Sequence, residues 1–65
     1  MINKIKYTIG DSVWFNYDLK PKNGTIFHRK NNLYYIKVFH MNKPYIFRRT
    51  ADKLFKTKNE LLNNV

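Results

Sequence analysis

Apolar and polar residues alternate along much of this chain with the two-residue period of β-strands, in which successive side chains point to opposite faces. In 12–17, Val13, Phe15 and Tyr17 share one side, and Ser12, Trp14 and Asn16 the other. The first set is the core candidate. In 33–40, Tyr34, Ile36 and Val38 oppose Leu33, Tyr35, Lys37 and Phe39, and the charge of Lys37 assigns the second set to solvent. Within 24–30, Ile26 reads as core, which turns Thr25, Phe27 and Arg29 outward. For 44–49, a two- or four-residue loop after His40 or Met41 puts Tyr45 and Phe47 inside. A three-residue loop would instead bury Arg48 with Ile46, and an unpaired buried charge is costly.

Turn chemistry separates these runs: Gly10-Asp11, the stretch from Asp18 to Gly24 that includes Pro21 and Asn23, Asn31-Asn32, and Met41 to Pro44. The pattern predicts strands near 4–9, 12–17, 24–30, 33–40 and 44–49, with a loop over 18–24. Five short strands in about fifty residues point to a mainly β fold, a small five-stranded, partly open barrel. The chain then changes character. Thr57-Lys58-Asn59-Glu60 has the spacing of a capping box and predicts a short helix from about 58 to 64, docked on the barrel because so short a helix is marginal alone. Leu54-Phe55 just before it reads as a brief strand or 3₁₀ contact that closes one end. The expected core is Val13, Phe15, Ile26, Tyr34, Ile36, Val38, Phe47, Leu54 and Leu61.

Composition narrows the function more than the fold. Sixty-five residues make one domain, 1–65, with too little interior for the deep pocket most enzymes use, so a binding module is expected rather than an enzyme. Cysteine is absent, so neither disulfides nor thiolate zinc supplement the core. No apolar run approaches the ~18 residues of a membrane span, and the N-terminal residues lack the apolar segment of a signal peptide. A soluble, cytoplasmic protein without a membrane partner is expected.

Net charge is +9, and its distribution is uneven: ten Lys and Arg against two Asp in residues 1–50, three Lys against Asp52 and Glu60 in 51–65. The alternation places Trp14, Phe27, Tyr35 and Phe39 outside, interleaved with Arg29, Lys37 and Arg48. Cations that follow phosphates and flat rings that stack on bases are the two requirements of nucleic-acid binding. The candidate binding residues are therefore Trp14, Arg29, Tyr35, Lys37, Phe39 and Arg48, with nucleic acid the first expected partner and an acidic protein the second. No cofactor or metal is expected. Neither Gly10 nor Gly24 opens a phosphate-binding loop, His28 and His40 lack further ligands at metal spacing, and Asp11 reads as a turn cap.

The segments Ile9-Gly10-Asp11-Ser12-Val13-Trp14-Phe15, Gly24-Thr25-Ile26, Tyr34 to Val38 and Asp52 to Leu61 resemble small SH3-like barrel proteins of the Tudor, KOW and chromo types, similar to short bacterial and phage proteins. The resemblance implies the barrel. If the chain is of the phage kind, it also implies a second class of function, a small protein that binds and blocks or redirects a host protein. A more distant resemblance is to basic SH3-like chromatin proteins that lay a three-stranded sheet on DNA. This chain has fewer lysines and nine asparagines, and no contact residue carries over. No Tudor-like aromatic cage is assigned to Trp14, Tyr35 and Phe39.

Overall fold

Three two-residue turns fold the middle of the chain into an antiparallel meander, seen in a computed structural model that describes residues 7–63. The strands are β1 (Ser12–Tyr17), β2 (Lys20–Lys30), β3 (Leu33–His40) and β4 (Lys43–Thr50), hydrogen-bonded in the order β1-β2-β3-β4. A 3₁₀ turn, Ala51–Lys53, leads to the helix α1, Lys58–Asn63. The sheet is not closed: β1 and β4 are its two edges. The first of the five expected strands, over 4–9, is not formed at Tyr7, Thr8 and Ile9, and its remaining residues lie outside the described ones. Thr8 to Asp11 instead make a turn, with Gly10 at φ 100° and the Asp11 carboxylate accepting from the Thr8 amide and hydroxyl.

The loop expected over 18–24 is largely strand. Asp18 and Leu19, at φ 55° and 64°, form the whole turn, and β2 starts at Lys20. Pro21 is tolerated because Lys20–Gly24 is bonded to β1 only, whereas pairing with β3 begins at Thr25. A proline without an N–H costs little where that side of the strand has no partner. Beyond Thr25 and Lys37 the sheet splits into two hairpin arms, β1–β2 and β3–β4. Tyr17 and Tyr45, expected inside, lie on the core side of these arms. Past the core they remain about half exposed, at 48% and 46%.

The inner face is built as the alternation requires. Val13, Phe15, Ile26, Tyr34, Ile36, Leu54 and Leu61 are buried, and Val38 and Phe47 are partly so. Gly24 faces this core, and a Cβ there would lie 2.5 Å from Ile36 Cγ2 and 2.9 Å from the Lys37 carbonyl oxygen. Its missing side chain lets β2 pass close over β3. Tyr7, absent from the expected core, is buried edge-on against Tyr34 at 5.7 Å and donates to the Leu54 carbonyl. Burial first, then the Glu60 carboxylate, Tyr34 and Asp11, raise its phenol above the ordinary value.

The C-terminal segment returns to β1. Trp14 and Phe55 exchange backbone hydrogen bonds of 2.7 and 2.9 Å as an isolated antiparallel bridge, the brief contact expected at Leu54-Phe55. The Thr57 hydroxyl accepts from the Glu60 amide at 3.1 Å. Glu60 reaches back one residue further than a capping box requires, to the Lys56 amide at 3.1 Å. Leu61 is buried, and α1 packs on β1 and β2.

Candidate functional site

A bulge in β2 determines which side chains reach the outer face. Ile26 pairs with Ile36, but His28 pairs with Tyr35, so Phe27 is an extra residue and the alternation changes phase. Residues opposite one another in an antiparallel pair share a face. His28 therefore joins Tyr35 outside, and Arg29, opposite Tyr34, turns to the inner side. The expectation that Arg29 points outward with Phe27 is corrected on this ground. The Arg29 guanidinium instead donates to the Asn31 carbonyl at 2.6 Å.

The outer face of β2–β4 collects Phe27, His28 and Lys30 from β2, Leu33, Tyr35, Lys37 and Phe39 from β3, and Pro44, Ile46 and Arg48 from β4. Tyr35 sits at its centre, with Arg48 directly opposite on one side and His28 on the other. Its ring centroid is 5.0 Å from His28 and 6.3 Å from Phe27. The Lys37 ammonium lies 5.2 Å from the Phe27 centroid, a cation–π contact. Phe39 is 68% exposed, two residues beyond Lys37 toward the end of the β3–β4 arm.

Of the six residues expected to bind, four share this face: Tyr35, Lys37, Phe39 and Arg48. Arg29 does not, as stated. Trp14 also points to the outer side, but on the part of β1 paired with Asn23, where β2 has no β3 partner. It is half-buried there, with the Lys58 ammonium 5.9 Å from its ring. His28 and Lys30 were missed by the sequence reading. A bulge leaves no mark in hydrophobic periodicity when the extra residue is itself an aromatic in a strand-like run.

The inner end of the split holds a second aromatic group. Phe47 lies 5.1 Å from Phe15 and 4.9 Å from Tyr17. The Arg49 guanidinium sits 5.2 Å from Phe15 and 5.7 Å from Phe47, and donates to the carbonyls of Arg48 and Asn16. The cation served by these rings is thus the chain's own.

A hollow of about 940 Å³ opens between β1, the end of β4 and α1, with Asn16, Arg49, Lys53, Lys56, Asp52 and Glu60 around it. Both signs of charge line it, so it does not single out one class of ion. Among the described residues, no buried side-chain nitrogen or oxygen lacks a hydrogen-bond partner, and no cluster of three metal-ligating residues occurs. No helix among them is long and apolar enough to cross a membrane. In comparisons with protein-family models, curated proteins and solved structures, nothing matches this chain.

Proposed function

We propose that this chain is a single-strand nucleic-acid binding module that uses the outer face of β2–β4. The observation that carries the reading is the convergence of Phe27, His28 and Tyr35 beside Lys37 and Arg48 on one open sheet face. Lys30 extends the row of cations at the end of β2. Single strands expose base faces that stack on such rings, while the cations follow the backbone. Tyr35 is the stacking platform, Lys37 and Arg48 are the phosphate contacts, and Phe39 takes a base farther along the arm. An SH3-like architecture belongs to this reading. Its support is the 3₁₀ turn after β4 and the Trp14–Phe55 bridge, which bring the end of the chain back to the first strand.

Fluorescence anisotropy with ten-nucleotide DNA and RNA strands, repeated across salt concentrations, tests it. Lys37→Ala should weaken binding and reduce the slope of log K against log salt by about 0.7. Tyr35→Ala should weaken binding by ~1–3 kcal/mol and leave the slope nearly unchanged. No binding to any strand at low salt, or binding indifferent to both substitutions, overturns the proposal.

A second reading, docking on a protein that the chain blocks or redirects, draws on the tips of the two arms. Leu19 is 98% and Met41 84% exposed, both at positive φ and both at the same end of the meander. Large apolar residues held in the left-handed region at exposed tips are costly placements that suit a contact surface. Losses concentrated at Leu19 and Met41, with a weak salt dependence, would identify that mode.

A further inference from the structure

We propose that the free edge of β4 captures an acidic, extended segment of a partner protein as an additional strand. The two edges of the sheet differ. Along β1, Trp14 is already bonded to Phe55 in both directions, and α1 packs on β1 and β2. β4 is paired with β3 through all eight residues, and no backbone hydrogen bond from another described segment reaches its other side.

The register fixes which backbone groups are offered. Met41 and Asn42, at φ 53° and 66°, make a two-residue turn that closes on a hydrogen-bonded His40–Lys43 pair. Bonded and non-bonded pairs alternate from there, so Tyr45, Phe47 and Arg49 aim their backbone at β3, and Pro44, Ile46 and Arg48 aim theirs outward. Of the outward groups, the Arg48 carbonyl already accepts from the Arg49 guanidinium at 2.7 Å. Left for a partner strand are the carbonyls of Pro44 and Ile46 and the amides of Ile46 and Arg48. Tyr45 and Ile46, 46% and 51% exposed, give such a strand an apolar neighbour on each face.

Charge selects the occupant. Lys43, Arg48 and Arg49 line the edge, and cationic and proline residues on an edge oppose pairing with a like strand. A second copy would add its own +9 and lay the same cations against these. In a strand alternating acidic with apolar residues, the acidic side chains share one face and meet Lys43 and Arg49, while the apolar ones share the other and meet Pro44 and Ile46. The four acidic residues of this sequence are scattered, so no segment of it supplies such a strand. The proposal uses backbone groups at the sheet edge and does not depend on nucleic acid binding the outer face.

The test is titration of the full-length, ¹⁵N-labelled chain with a ten-residue peptide alternating glutamate with valine or threonine. Saturable one-to-one binding is expected, with amide exchange at Ile46 and Arg48 slowed about tenfold or more and little change at Tyr45 and Phe47. The same peptide N-methylated at alternate residues on its pairing edge, and a lysine-for-glutamate version, should each bind about tenfold more weakly or worse. Ile46→Pro removes one outward donor at a position where an edge strand tolerates proline, and should reduce binding similarly. If that variant does not fold, the N-methylated peptide decides alone. Three results overturn the proposal: no binding of the acidic peptide at low salt, binding without protection of Ile46 and Arg48, or equal binding of the N-methylated peptide. Protection of these amides that rises with protein concentration alone would assign the edge to a second copy and overturn it as well.

Discussion

The Tyr7 hydroxyl donates a 2.9 Å hydrogen bond to the carbonyl of Leu54, fastening the start of the described chain to the segment that follows β4. Both residues are buried, so Tyr7→Phe leaves that carbonyl without its donor and should cost about 1–3 kcal/mol in denaturant unfolding. The phenol also sets an alkaline limit. Its value in the folded chain is raised above 10.0, chiefly by burial, so the fold favours the protonated form. That contribution is complete below pH 10.0 and is lost as the pH rises through the folded value. Unfolding midpoints measured across this alkaline range should fall for the wild-type chain and fall less for Tyr7→Phe.

At Gly24, an added methyl group would meet two core side chains and a backbone carbonyl, at 2.5 Å from Ile36, 2.8 Å from Val38 and 2.9 Å from the Lys37 oxygen. The backbone contact cannot swing aside as a side chain would. Gly24→Ala should therefore destabilise by about 1–3 kcal/mol, against the usual expectation that alanine stiffens an unfolded chain and helps. A thermal melt equal to or above that of the parent would contradict the close approach.

Loss of the Thr57 hydroxyl leaves the Glu60 amide without its cap. Thr57→Ala should cost about 0.5–2 kcal/mol and Thr57→Ser much less, measured by urea denaturation. Leu61 adds to the effect, because fraying of α1 uncovers a buried residue.

The phase change at Phe27 separates two arginines that alternation alone would treat alike. Arg48 stands opposite Tyr35 on the outer face, whereas Arg29 is turned inward and bonded to Asn31. In the oligonucleotide assay, Arg48→Ala should reduce the salt slope by about 0.7, and Arg29→Ala should change it by much less. Equal losses at both positions would contradict the assignment of faces.

Where each strand has a neighbour that confirms its alternation, the sequence was readable. Val13 and Phe15, Tyr34 and Ile36, and Leu54 and Leu61 sit where their polarity places them. Misreadings cluster where tertiary context decides. Pro21 and Asn23-Gly24 look like a loop until one knows that this part of β2 is unpaired on one side. Leu19 does not look like a turn residue, yet it occupies one at φ 64°. Tyr17 and Tyr45 have the right parity for the core but lie on arms that outrun it. For the proposed binding face, Tyr35, Lys37, Phe39 and Arg48 followed from strand parity. His28 and Lys30 required the bulge, and Trp14 required knowledge of where β1 leaves the main sheet.

A meander in which every strand bonds to its neighbour in sequence also orders events in time. Each hairpin closes a loop of two residues, so little chain entropy is lost before its ladder begins to form. The expensive encounters are the distant ones, Leu54 with Tyr7 and Phe55 with Trp14. On loop-closure grounds these should come last in folding and be first released on unfolding. Shortening Leu54 to alanine should then accelerate unfolding far more than it slows folding, whereas shortening Ile36, at the centre of the meander, should slow folding itself. That outcome would make the C-terminal return a latch, on which the lifetime of the native state depends more than the speed of its assembly does.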